Sequence, residues 1–260
     1  MVNQGSFDSV ALITGASSGL GAAVARKIAA PNKALLLHAR GGVDGSKKPN
    51  LEALASEIEK AGATVEYVFS DLEVPGAASA LIETALSKFG ALDQIVSNAG
   101  FADKRILGDV PKEILDRSHN AMTGAFFEMA TAALEPLSKS DAGSVVVVSS
   151  FVSHVYTEAS LFPATAAAKA GVEALAKSLA VQLAPFGTTV NCVAPGYMKK
   201  DAVGHSALSD DAWKAAADRT PLGRIAEPSN VAAVIGFLLG GDARHITGQI
   251  IHVDGGLTLA

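Results

Sequence analysis

Short apolar runs alternate with longer segments whose apolar residues recur every three or four positions, almost from end to end of a 260-residue chain. SVALIT, KALLLHA, TVEYVFS, DQIVSN, SVVVVSS and TTVNCVAP have strand length, and QIIHVDGG closes the series. GLGAAVARKIAA and NLEALASEIEKAG have helical spacing, the second stopping at Gly62. Further helical stretches cover 76–89, 112–137 and 163–185. Strands that are apolar on both faces must be covered on both, and helices between them imply a parallel sheet with right-handed crossovers. The expected fold class is α/β: one Rossmann-type, doubly wound parallel sheet with helices on both faces. With no repeat, linker or low-complexity tail, residues 1–260 read as a single domain. GGVDGSKKPN (41–50) reads as a turn-rich loop and 196–224 as a longer mobile connection. Any ligand is expected at the carboxyl ends of the strands.

Composition removes several function classes. Hydrophobic residues make up 49% and charged residues 18%, as in a core-rich globular protein. A net charge of −5 gives no electrostatic footprint for nucleic acid, and 5% aromatics leave few stacking platforms. The single cysteine, Cys192, excludes an internal disulfide and a cysteine metal cluster; within TVNCVAPG it reads as a small buried hydrophobe. MVNQGSFDSVALITG lacks the pattern of a secretory leader, and no stretch reaches the roughly 18 uncharged apolar residues of a membrane span. The expectation is a cytoplasmic protein without metal, membrane or nucleic-acid partner.

Directly after the first strand comes TGASSGLG, residues 14–21. Strand, glycine-rich turn and helix together let a backbone approach a pyrophosphate at a helix N-terminus. The spacing is G-x-x-x-G-x-G, which departs from the general dinucleotide fingerprint. On the residues alone, a tight turn followed by a good helix start explains the segment too.

Five further segments join this turn in one order: SNAG (97–100), VVSS ending at Ser150, AAAKAG, VAPG (193–196) and ITGQIIHVDGG. Together they resemble the short-chain dehydrogenase/reductase family over nearly the whole chain, and its 3-oxoacyl-carrier-protein reductase-like members in particular. PLGRIAEP is similar to that family's lead into its last large helix. The resemblance implies an NAD(P)(H)-dependent oxidoreductase acting on a carbonyl or alcohol of a small molecule. It puts Gly15, Ser17, Ser18, Gly19, Leu20 and Gly21 around the pyrophosphate, Asp71 and Leu72 beside the adenine, and Asn98, Ala99 and Gly100 under the adenosine ribose. Pro195 and Gly196 fall at the nicotinamide end. On the residues alone, Asp71 could cap the next helix and 98–100 could be a strand-end turn. NAD-preferring relatives carry an acidic residue at the end of the second strand; this chain has Ala39 followed by Arg40. A guanidinium can pair with a 2′-phosphate, so the expected coenzyme is NADPH/NADP+ rather than NADH/NAD+.

The same resemblance marks Ser150, Thr165 and Lys169 as the catalytic positions, with a departure. The family's tyrosine exchanges the proton and a lysine four residues on holds the nicotinamide ribose, but Y-x-x-x-K here reads TAAAK. A threonine alcohol is a far weaker acid than a phenol, and shorter. In NAMTGAFF the family's asparagine falls on Ala121, with Asn120 about 100° round a regular helix. PGYMKKD puts Lys200 where relatives carry a threonine. Replacement acids in the pocket segments are His154, Tyr156 and Tyr197, each of which reads more simply as a pocket-wall or surface residue. The alternative to an enzyme with an atypical proton-transfer group is a coenzyme-binding relative that is catalytically weak or inactive. Eight alanines and Gly171 between Ala164 and Ala180, on a helix that packs on a symmetry mate in this family, imply a homotetramer or, failing that, a homodimer.

Overall fold

The structure, a computed structural model, describes residues 7–42, 45, 48–158, 161–199 and 210–259. Its strands are β1 (Ser9–Thr14), β2 (Lys33–Ala39), β3 (Thr64–Phe69), β4 (Gln94–Ser97), β5 (Ser144–Val148), β6 (Thr189–Pro195) and β7 (Ile250–Val253). They form one sheet of seven strands in the order β3-β2-β1-β4-β5-β6-β7, with every neighbouring pair parallel. Strand order reverses between β1 and β4, which opens a crevice at their carboxyl ends.

Helices α1 (Gly19–Ile28), α2 (Lys48–Lys60) and α8 (Pro228–Leu239) cover one face of the sheet. Helices α3 (Ala77–Phe89), α5 (Ala125–Ser138) and α6 (Pro163–Leu183) cover the other. Strand alternation sorts the core: Leu12, Leu36 and Val147 pack on α3, α5 and α6, whereas Ile13, Leu37 and Val146 pack on α1, α2 and α8. Continuously apolar strands thus have both faces buried, apart from β3 and β7 at the two sheet edges, which are partly exposed.

Several boundaries differ from those expected. The stretch 112–137 is not one helix: α4 (Lys112–Ser118) and α5 are joined by a π turn, His119–Gly124. Thr123 in that turn donates its hydroxyl to Ala168 O on α6 at 2.9 Å, and a Cβ on Gly171 would lie 3.0 Å from Thr123 Cγ2. The wider turn is therefore packed closely against α6. A short 3-10 turn, Ala184–Phe186, follows α6, and α2 begins inside the expected 41–50 loop, at Lys48. The expected connection 196–224 contains α7 (Asp210–Asp218); Lys200 and 201–209 lie outside the described residues.

Candidate functional site

Two glycines allow β1 to turn into α1 beside β4. Gly15 has φ +67°, and a Cβ there would lie 2.9 Å from Asn98 Nδ2. A Cβ on Gly21 would sit 2.2 Å from Gly15 O, inside contact distance. Any larger residue at these positions pushes the turn away from β4. Ser18 is the N-cap of α1 in an extended conformation and makes no side-chain cap, so the helix entrance is not closed by its own hydroxyl. Ser17 precedes it in the turn and Leu20 is buried behind it.

The β1–β4 seam is held by a residue that pattern reading passed over. Thr14 Oγ1 accepts from Asn98 N and Ala99 N, both at 3.0 Å, and Asn98 Nδ2 donates to Thr14 O at 2.9 Å and Gly15 O at 3.2 Å. The only signal in sequence was a hydroxyl at the first position of TGASSGLG. Asn98 and Ala99 are thereby locked against the glycine turn, and Gly100 follows them in the chain.

At the far end of β2 and β3, Asp71 Oδ1 accepts from Glu73 N at 3.0 Å; it forms a local turn and does not cap α3, whose N-cap is Gly76. His38 Nδ1 and Ser70 Oγ are buried here without a hydrogen-bond partner. Burial holds His38 below its ordinary pKa, so the ring is neutral near pH 7. These features and the glycine turn fit the adenosine half of a dinucleotide. Arg40, the cation that can pair with a 2′-phosphate, has its Nη1 3.7 Å from Glu73 Oε1. At the other end Pro195 closes β6, and a Cβ on Gly196 would meet Asp254 Cα at 2.8 Å.

Lys169 is the buried cation of the site. It is 7% exposed and its Nζ donates to Val148 O at 2.6 Å. A Cβ on Gly100 would lie 3.3 Å from Nζ and 3.0 Å from Met122 Sδ, so the amine sits between the end of β5, the backbone of Gly100 and a thioether. Desolvation brings its pKa down from 10.5 to about 8, against the opposing pull of Cys192 and Glu173. Burial, helped by Glu173, pushes the neighbouring Cys192 thiol up to about 12. Asn120 is exposed and does not replace the family's asparagine; Met122 is the π-turn side chain that reaches the Gly100–Lys169 contact.

The remaining candidates separate. Ser150 caps the turn after β5, its Oγ accepting from Val152 N at 3.4 Å. Thr165 is 2% exposed, and its hydroxyl accepts from Asp103 N at 3.0 Å, tying α6 to the segment after Gly100. His154 Nε2 lies 2.9 Å from Glu173 Oε1, an oxygen that also accepts from Ser149 Oγ, and its ring stacks edge-on against His252. The histidine is therefore engaged with the buried Glu173 from the protein surface. Tyr156 is 66% exposed and donates its hydroxyl to Ser153 O. Tyr197 packs its ring 4.8 Å from Phe151, in an apolar cluster with Ala166 and Leu257. Among the described residues no group of histidine, cysteine and carboxylate side chains has a metal-binding arrangement. No described helix is long and apolar enough to cross a membrane.

Comparison with known proteins gives one result from sequence and from fold. Residues 15–258 match the family model described as enoyl-(acyl carrier protein) reductase. The chain is 35% identical to the cis-4-hydroxycyclohexanecarboxylate dehydrogenase of Sinomonas cyclohexanicum, over 96% of each chain. It is 32% identical to the 3-oxoacyl-(acyl-carrier-protein) reductase of Staphylococcus aureus, over 95% of this chain and 97% of that one. In three dimensions it is similar to a blue fluorescent protein from a metagenomic library, solved in complex with NADPH. That likeness has a TM-score of 0.85 at 28% identity and covers 98% of this chain and 99% of the other.

Proposed function

The chain belongs to the short-chain dehydrogenase/reductase family, and we propose that within it the protein is an NADPH-preferring oxidoreductase that moves its proton through Lys169 in place of a tyrosine. The supporting observation is a glycine turn held against β4 beside a proton-donor position whose threonine hydroxyl is buried against Asp103 N. The substrate is a small-molecule carbonyl or alcohol, as the names of the relatives suggest.

In this reading Gly15, Ser17, Ser18, Gly19, Leu20 and Gly21 hold the pyrophosphate, and Asp71 and Leu72 flank the adenine. Asn98, Ala99 and Gly100 support the adenosine ribose, Arg40 binds the 2′-phosphate, and Pro195 with Gly196 borders the nicotinamide. NADPH or NADP+ bound there supplies or accepts the hydride. Ser150 Oγ orients the substrate oxygen. A threonine alcohol is too weak an acid to donate near neutrality, whereas an ammonium whose pKa is about 8 is suited to it. In the reducing direction the substrate oxygen gains the proton that Lys169 loses, and Lys169 recovers one from water.

Single-turnover reduction of an activated diketone at saturating NADPH tests the assignment. Thr165→Val should keep the wild-type rate within about threefold, because the hydroxyl is not the donor. Lys169→Met should lose about 10²–10⁴-fold, the span of general acid catalysis. Full retention of rate in Lys169→Met assigns the proton elsewhere. The bond between Thr165 and Asp103 also suits a second reading, a coenzyme-binding relative with little turnover. Tight NADPH binding without reduction by the wild type selects that reading.

A further inference from the structure

Beside Arg40 lies a second arginine that the coenzyme reading leaves without a role. Arg117, on α4, grips Glu73 with both ends of its guanidinium: Nε to Oε2 at 3.0 Å and Nη2 to Oε1 at 2.8 Å. Arg40 reaches the same carboxylate only at 3.7 Å, from one nitrogen. The Arg117 guanidinium lies 5.4 Å from the Phe101 ring centre, so it is braced from the segment that follows Gly100. The fork holds the Glu73 carboxyl below its usual range and Arg117 above its own, Asp71 adding to the latter. Glu73 is the more buried partner, its side chain 22% exposed against 46% for Arg117 and 49% for Arg40.

A planar fork on a carboxylate is the stronger arrangement, and a single long contact the weaker. Glu73 is consequently taken up by Arg117, and Arg40 stays open to an incoming dianion. Glu73 is already the anion paired with Arg40, at 3.7 Å, and without Arg117 it would be free to close on that guanidinium. It would neutralise the guanidinium, and it could accept from ribose hydroxyls as the acidic residue of NAD-preferring relatives does.

We propose that Arg117 sets coenzyme choice through Glu73: by capturing that carboxylate it keeps Arg40 available to a 2′-phosphate and denies NADH an acceptor. Arg117 and Glu73 are positioning residues, since neither needs to touch the coenzyme. The inference rests on the assignment of NADPH to Arg40, and the experiment separates the two.

Calorimetric titration with NADPH and with NADH, on folded variants checked by thermal melts, reads the effect without any turnover. Arg117→Ala should weaken NADPH roughly tenfold, the size of one charge-assisted contact, and leave NADH equal or tighter. Glu73→Gln should bind NADPH at least as tightly as wild type, and adding it to Arg117→Ala should restore most of the lost NADPH affinity. Arg117→Lys, which keeps charge but not the fork, should fall between. If Arg40→Ala erases the NADPH preference while Arg117→Ala and Glu73→Gln leave it untouched, this inference fails and the NADPH assignment stands. If Arg40→Ala changes nothing, or wild type prefers NADH, the assignment fails and the inference with it. Loss of both coenzymes alike in Arg117→Ala, unrescued by Glu73→Gln, means a structural role and also overturns the proposal.

Discussion

Lys169 and Cys192 respond to alkali in opposite senses. Burial lowers Lys169 from 10.5 to about 8, so above pH 8 the folded chain sheds a proton that the unfolded chain keeps. Stability therefore rises with pH there, by up to about 1.4 kcal/mol per pH unit for one proton. Cys192, raised from 9.0 to about 12, reverses the sign above pH 9, where the unfolded thiol ionises and the folded one does not. Denaturant unfolding should show stability increasing between pH 8 and 9 and then levelling. In Cys192→Ala the rise should continue toward pH 10, and in Lys169→Met it should vanish. Thr165 makes a second prediction at this scale. Replacing it by valine removes the acceptor for Asp103 N and should cost about 1–3 kcal/mol, because that amide is left without a partner. Thr165→Tyr, which returns a phenol one turn before Lys169, should raise diketone reduction about tenfold or more. A fall in rate would mean that the site has closed around the threonine.

The β1–β4 seam behaves as one element. Thr14→Val deprives two backbone amides, Asn98 N and Ala99 N, of their shared acceptor, and chemical denaturation should register a loss of about 2–4 kcal/mol. NADPH affinity should fall with it, since the 97–100 segment loses its register on the glycine turn. Much at this scale was legible in sequence. Strands such as SVALIT and KALLLHA are apolar without interruption because both their faces are covered, and that pattern has few other solutions. The π turn was not legible, because inserting one residue into a helical turn changes hydrogen-bond register without demanding a residue type. Its consequence, Met122 and not Asn120 beside Gly100, was hidden with it. Arg40 was readable as a cation at the end of β2, but its link to Glu73 and Arg117 joins three separate segments and leaves no spacing to read. Thr165 was legible as a departure. Its bond to Asp103, sixty-two residues away in sequence, was not.

At the scale of the molecule, α5 and α6 present an outer face that a monomer would leave wet. Phe127 is 57% and Val181 78% exposed, and α6 also exposes the small residues Ala167, Ala170 and Ala174. Small side chains allow close helix approach around a two-fold axis, and the half-buried edge strand β7 offers a second contact, so we propose a homotetramer or, failing that, a homodimer in solution. Light scattering at micromolar concentration should give four times the mass of the chain; a monomer contradicts the assignment. Turnover is likewise a property of the whole assembly of coenzyme cradle, serine and buried lysine, and in the proposed mechanism Lys169 moves the proton. The most direct test is the pH dependence of single-turnover hydride transfer at saturating NADPH. With Lys169 as donor, the wild-type rate of carbonyl reduction should be level at neutral pH and fall about tenfold per unit above roughly pH 8 as the ammonium is lost. Lys169→Met should be slow at every pH. A rate that stays level to pH 10, or a Lys169→Met variant with the wild-type profile, would contradict the account.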